Sequence, residues 1–437
     1  MKDGNFRKSD VTVALDIGTT KVCAIAGCKN AHGKLEILGM GKVNSEGVLR
    51  GVVSNIEKTV NAIAQATEGV RQGLGGIGFD SVHVGIAGQH IKSLQHRGLL
   101  VRHNDHLEIS QDDIDKLIGD MFKLVLPPGD KILHVIPQEY TVDNEQGIID
   151  PIGMSGVRLE ANFHIITGQI TASNNIYRCV ERTGLRVANM TLEPIASAMA
   201  VLSEEEKEAG VALVDIGGGT TDITIFQDGI IRHTAVLPFG GNAITRDVKD
   251  GCNVMIHQAE KLKVRFGSAL AQEVFDNRII SIPGVRGRDH KEISEKNLAR
   301  IIQARAEEIL DYVVWEIRRS GYERKLIAGI VLTGGGALLR HIEKLTEYHT
   351  GMNTRLGLPI DQLAHGYSEN ISSPVYATAI GLLLKGIEDR DRGRIREEQK
   401  HTAARNDEDQ SNEQNRWYEN LFKKTREWFD ADPDAEF

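Results

Sequence analysis

Apolar and polar positions along the chain form a pattern that occurs twice. Residues 13–22 read VALDIGTTKV and residues 213–223 read LVDIGGGTTDI. Each is an apolar run, an Asp, an Ile-Gly pair, a Gly/Thr turn and a second apolar run. That order predicts two β-strands joined by a tight turn. A spacing of roughly 199 residues is too long for a solenoid repeat and predicts two related domains in one chain. Similar material follows each copy. The strand-like LEILGMGKV and a helix over Asn55–Gln72 come after the first, GIIRHTAVL and a helix on HQAEKLKVRF after the second. A third glycine loop, LTGGGALL at 332–339, follows the apolar strand IAGIVL and is expected to open a helix. Strands alternating with helices around Gly-rich turns predict α/β layers.

Two stretches fall outside this echo. Residues 84–165 hold an extra block of strands and one helix, Gln111–Leu124, and read as an inserted subdomain. Past Gly386 the composition changes. Residues 388–415 contain 15 charged residues of 28, with only Ile395, Ala403 and Ala404 apolar, too little to order the segment. A flexible linker is expected there. Apolar positions return at Trp417, Tyr418, Leu421, Phe422, Trp428 and Phe429, one stripe of a 3.6-residue helix flanked by Arg416, Lys423, Lys424 and Arg426. A helix of about 14 residues cannot cross a bilayer of about 30 Å, but its apolar face and basic flanks suit the headgroup layer. Docking on a partner protein is the alternative use of the same stripe.

Composition narrows the function classes. Acidic residues outnumber basic ones by 61 to 52, a net charge of -9, which argues against a protein that coats nucleic acid. Cys23, Cys28, Cys179 and Cys252 form no CxxC pair and lack zinc spacing, so reduced, buried thiols in a cytosolic protein are expected. Met1–Asp10 is polar, so no signal peptide is expected, and no apolar run is long enough for a spanning helix.

The chemistry lies in the Gly/Thr turns. Such a turn offers backbone N–H groups outside the strand ladder, and glycine lets that backbone approach phosphate oxygens closely. Two turns facing each other can clamp a polyphosphate. Asp16 and Asp215 then stand at strand ends, placed to hold the waters of a magnesium ion. Lys21 offers a positive charge to the terminal phosphates. One such turn is weak evidence, since Gly-Thr hairpins are common; two, with a third GGG loop, are far more specific.

In this order and spacing, DIGTTK, DIGGGTTD and LTGGGALL resemble the phosphate-1, phosphate-2 and adenosine motifs of the actin, heat-shock chaperone and sugar kinase superfamily. LEPIASAMAVL, 192–202, resembles its connecting helix. The resemblance implies two facing α/β domains with ATP in the cleft. By position, Asp16, Gly18, Thr19, Thr20 and Lys21 form the first phosphate loop. Asp215, Gly217, Gly218, Gly219, Thr220 and Thr221 form the second. Gly334, Gly335 and Gly336 pack on the adenosine, and Lys263 in AEKLK reaches the ribose or adenine. Glu193 matches the acidic residue near the attacking water.

The opening VTVALDIGTTKVCAIAG, the stretch ITGQITASNNIYRCVERTGL, the inserted block and the aromatic-basic tail resemble the FtsA family of bacterial cell-division proteins. That resemblance implies an actin-like fold. Its first domain takes residues 10–83 and 166–195, with a family-specific insertion at 84–165. Its second takes 196–239 and 307–386, with a small subdomain at 240–306. The linker is 387–414, and the membrane-targeting helix 415–430 carries Trp417, Leu421, Phe422, Lys423, Lys424, Trp428 and Phe429. The implied role is an ATP-binding filament on the cytoplasmic face of the inner membrane at the division site. It anchors FtsZ, recruits later division proteins through the insertion, and hydrolyses ATP slowly at most. The acidic, hydrophobic FtsZ tail is expected on 240–306, where EISEKNLARIIQAR supplies Lys296, Arg300 and Arg305; a solvated basic face reads the same. A superfamily kinase would need a general base for an acceptor hydroxyl, and no distinctive candidate stands out. A pilus-assembly relative would share the fold but be expected to lack the tail.

Overall fold

The first strand carries the logic of the fold. β1 (Thr12–Ile17) is buried along its whole length, because it lies inside a sheet covered on both faces, so its sequence is a continuous apolar run rather than an alternation. The computed structural model describes residues 10–102, 108–283, 290–364 and 369–393. β2 (Lys21–Lys29) returns antiparallel to β1, and β3 (Leu35–Asn44) follows. A small hairpin, β4 (Val48–Leu49) and β5 (Val52–Val53), leads into α1 (Ile56–Gly73), whose first turn is capped by the Asn55 side chain accepting from Lys58 N–H. β6 (Ser81–Ile86) then lies parallel to β1.

The insertion has its own sheet and core. β7 (Lys92–Val101), α2 (Gln111–Met121), β8 (Asp130–Val142), β9 (Glu145–Ile148) and β10 (Arg158–Gln169) form an antiparallel sheet in the order β7-β10-β8-β9. α2 covers it, with Leu117 and Met121 against Phe163, Leu159 and Ile165. The expected bounds of 84 and 165 both fall inside strands, in β6 and β10, since a sequence pattern does not reveal which sheet a strand joins. The chain re-enters the first lobe through α3 (Ile170–Glu181) and β11 (Arg186–Leu192), completing the sheet β11-β6-β1-β2-β3.

α4 (Glu193–Val201), with Pro194 in its first turn, and the short α5 (Glu204–Ala209) lead to the second lobe. There β12 (Val211–Ile216), β13 (Thr221–Gln227) and β14 (Ile230–Leu237) repeat the three-strand meander of β1 to β3. α6 (Gly241–Cys252), α7 (Ile256–Phe266), β15 (Ile279–Ile282), β16 (Lys291–Ser294) and the start of α8 (Glu295–Ser320) enclose a separate small core around Val248, Leu262 and Leu298. β17 (Gly329–Thr333), α9 (Ile342–Thr350) and β18 (Thr354–Leu356) complete the sheet β14-β13-β12-β17-β18. The loop at Gly335–Leu338 makes a 3-10 turn rather than opening a longer helix directly; α9 starts at Ile342.

Each lobe is thus a meander extended by parallel strands, as the echo predicts. The insertion also reaches the second lobe. Gln138 donates to the Ile231 carbonyl at 2.6 Å, Arg232 pairs with Glu139 at 2.6 Å, and buried His164 meets Thr234 at 3.0 Å. Burial, then neighbouring His233, push the His164 imidazole down to about 4. All four cysteines are free and buried. Residues 377–393 are helical, so helix occupies the first residues of the segment expected as a linker from 387. The rest of that segment, 394–414, and the terminal helix expected at 415–430 lie outside the described residues.

Candidate nucleotide site

The two Gly/Thr turns have the same register. Ile17 stands opposite Val22 and Ile216 opposite Thr221, so each turn begins at the glycine after the isoleucine. Gly18 N–H donates to the Lys21 carbonyl and Gly217 N–H to the Thr220 carbonyl, both at 2.9 Å. These two N–H groups close their own turns and are not available to a phosphate, contrary to the simplest reading of the motif. The N–H groups of Thr19, Thr20, Gly218 and Gly219 at the apices take no part in those bonds.

The turns touch across the cleft, and glycine is what permits it. A Cβ on Gly218 would lie 2.3 Å from Thr20 Cγ2, and one on Gly219 2.6 Å from Thr19 Oγ1. Gly334, at φ +83, brings the third loop under the second turn, where a Cβ would lie 2.2 Å from Asp215 Oδ1.

Behind the turns stands a cluster of carboxylates. Asp16, Glu193, Asp215 and Asp222 line one cavity of about 90 Å³, with Lys21 its single cation among the described residues. Lys21 pairs with Asp16. Burial works against the Lys21 charge, but Asp16, Cys23 and Glu193 outweigh it and hold the ammonium above its ordinary value. Asp215 accepts from the Ser197 hydroxyl at 2.8 Å and from Thr378 at 3.4 Å. Asp222 lies directly across the ladder from Asp215, which puts both carboxylates on one face. Burial, then Asp215, push Asp222 up to about 8. Burial, then Asp16, Asp222 and Asp215, raise Glu193 well above the usual carboxylate range. Burial raises Asp215 as well, and Asp16 adds to it.

These residues fit a hydrated divalent cation. Carboxyl groups outnumber cations in the lining, and Asp222 Oδ1 is buried with no hydrogen-bond partner. No group of three or more His, Cys, Asp or Glu converges as a direct metal cage among the described residues. Carboxylates spread around a cavity suit a cation held through its waters, the way magnesium is usually held.

A larger cavity of about 380 Å³ adjoins the anionic one, sharing Thr20, Gly217, Gly218 and Gly335 with it. Its lining adds the apolar Ile244, Val264, Leu338 and Leu339 together with the polar Asn242, Glu260, Lys263 and Arg340. An anionic, glycine-walled end beside a roomier, partly apolar end has the shape of a phosphate site joined to a nucleoside site.

Most expected site residues meet here. Asp16, Gly18, Thr19, Thr20, Lys21, Glu193, Asp215, Gly217, Gly218, Gly219 and Thr220 line the small cavity, as do Gly334 and Gly335. Lys263, Gly335 and Gly336 line the large one. Lys263 is partly engaged already, donating to the Gly241 carbonyl at 3.0 Å and pairing with Glu260 at 2.8 Å. Lys21, expected as a free charge for phosphate, is held by Asp16. Thr221 is not in the site: it is fully buried and its hydroxyl donates to the Phe239 carbonyl at 2.9 Å. The residue after it on the strand faces the site instead, because alternate strand residues face opposite ways. That residue, Asp222, ends the DIGGGTTD motif but is not among the expected site residues, since which of the two faces the cleft depends on the strand's place in its sheet. Ser197 and Thr378 had no sequence signal.

The expected basic face on α8 does not assemble as three residues. Lys296 and Arg300 lie one turn apart, whereas Arg305 is nine positions from Lys296, about half-way round the helix. Arg305 is clamped by Asp247 and Glu308. The expected membrane-facing residues, Trp417 to Phe429, lie outside the described residues.

Two lobes of matching topology with facing turns over such a cleft define an actin-like protein, and solved structures agree. The fold resembles a PilM–PilN type IV pilus biogenesis complex (TM-score 0.60, 14% identity, 86% of this chain and 98% of that one). It also resembles MreB5 of Spiroplasma citri bound to ADP (TM-score 0.54, 15% identity, 88% and 99%). Family models described as "Cell division protein FtsA" and "SHS2 domain inserted in FTSA" match residues 212–381 and 88–167. Cell division protein FtsA of Pseudomonas aeruginosa is 42% identical over 384 residues, 88% of this chain and 91% of that protein. That of Escherichia coli K12 is 34% identical over 403 residues, 90% and 94%. The chain belongs to the FtsA family of actin-like cell-division proteins.

Proposed function

We propose that this FtsA-family chain binds magnesium–ATP between its two turns and uses it to close its lobes and polymerise. In this reading the filament ties FtsZ to the cytoplasmic face of the inner membrane at the division site and recruits later division proteins through the insertion. The observation that supports nucleotide binding best is the pair of facing Gly/Thr turns over a cavity with excess buried carboxylate. Bound magnesium would supply positive charge to the phosphates. Asp16, Asp215 and Asp222 would hold its waters, while the apex N–H groups donate to phosphate oxygens. In this reading the nucleotide acts mainly as a conformational ligand, and any hydrolysis is slow.

No helix among the described residues is long and apolar enough to cross a membrane. Attachment is assigned to the 415–437 segment, whose Trp, Leu and Phe stripe with Lys423 and Lys424 suits a headgroup layer. A single such helix binds reversibly, and a filament presents many of them, so polymerisation and membrane residence are coupled. Titration calorimetry tests the nucleotide reading. Asp215→Ala should weaken magnesium–ATP binding at least tenfold, and equal affinity would remove the assignment. Pelleting with anionic vesicles tests the anchor: Trp428→Glu should leave the protein in the supernatant with ATP binding intact.

A further inference from the structure

The β4–β5 hairpin turns through only two residues, Arg50 and Gly51, at φ 50 and φ 76. Two positive values are the mark of a type I′ turn, where Asn-Gly is the usual pair. An arginine held at positive φ is uncommon, and such outliers gather at binding sites.

The turn is wedged between the two phosphate turns. Gly51 N–H donates to Thr19 Oγ1 at 3.2 Å, and a Cβ on Gly219 would come within 3.0 Å of Arg50 Cα. From behind, Gly51 packs on Gly88 so closely that a Cβ would lie 2.7 Å from Gly88 Cα, so the tip has no room to retreat. Gly51 lines the small anionic cavity. Arg50 itself is exposed at the rim, its side chain outside the cavity lining, and no ion pair is seen for its guanidinium among the described residues.

The cavity needs such a charge. Four carboxylates line it, and Lys21, its one cation among the described residues, is paired with Asp16. A polyphosphate entering there calls for positive charge beyond magnesium, and a guanidinium supplies it in a planar, two-pronged form matched to phosphate oxygens. We propose that Arg50 contacts the terminal phosphate of a bound nucleoside triphosphate and thereby sets the preference for triphosphate over diphosphate. This rests on the nucleotide reading above.

The test titrates the full chain with magnesium–ATP and magnesium–ADP. Arg50→Ala should lower ATP affinity about tenfold, the scale of one charge-assisted contact, and leave ADP affinity within about twofold. Arg50→Lys should recover part of the loss, and thermal unfolding of each variant confirms the fold. An equal loss for both nucleotides would mean that the arginine only shapes the turn, and no loss would remove it from the site; either result overturns the proposal while nucleotide binding stands. A wild-type chain that binds neither nucleotide would overturn both readings.

Discussion

The turn after β1 and the turn after β12 are copies in register but differ in how their carboxylates are balanced. In the first, Asp16 faces Cys23 across the ladder and is neutralised by Lys21, five residues on. In the second, Asp215 faces Asp222, no lysine is present, and only the hydroxyls of Ser197 and Thr378 support it. The apices differ too. The first carries Thr19 and Thr20, and the second is bare glycine where those threonines press. One copy therefore supplies side chains and a balanced ion pair; the other supplies clearance and unbalanced negative charge. The demand for a cation belongs to the second turn, and the internal repeat has diverged into complementary halves of one site.

The largest expected effect comes from unbalancing the balanced turn. Lys21→Met leaves the buried Asp16 carboxylate without its partner and should cost about 3–5 kcal/mol in urea unfolding. A variant as stable as the parent would show that the pair does not neutralise the first turn.

The second turn should respond in the opposite sense. Asp222 is raised from 3.8 to about 8 in the fold. Between those values the folded chain keeps a proton that the unfolded chain has released, so stability falls as pH rises from about 4 to 8 and then levels off. Asp222→Asn removes this penalty. Without nucleotide or magnesium it should be more stable than the parent by on the order of a few kcal/mol at pH 8, with the difference vanishing toward pH 4. Parallel stability profiles for the two proteins would contradict the charge imbalance.

The smallest effect tests clearance. Gly218→Ala places a methyl 2.3 Å from Thr20 Cγ2 and should cost about 1–3 kcal/mol in thermal unfolding, part of it restored by Thr20→Ser. Gly18→Ala meets atoms of its own turn alone, the Lys21 carbonyl at 3.0 Å and Asp16 Oδ1 at 3.7 Å, and should cost less. Equal costs would mean that the turns do not rely on each other.

How much of this was legible follows from which interactions are local. The paired hairpins, the helix α1, the inserted block and the family resemblance are short-range patterns, because strand alternation, helix periodicity and turn chemistry involve residues within a few positions of each other. The order of elements and the kinship of the lobes could thus be read from the chain. Side-chain direction could not. Thr221 and Asp222 are neighbours, and only the strand's placement in its sheet sends one hydroxyl into the core and the other residue's carboxylate into the site. Lys21 reads as free until Asp16 is seen beside it. The supports of Asp215 come from Ser197 and Thr378, 18 and 163 residues away, and the Arg50 turn reaches Thr19 across 32. The sequence alone determined the elements, their repetition and the chemistry that the turns can perform. Only the tertiary structure decided which charges are paired and which are left over, since burial and proximity between distant segments set the energy of a charge.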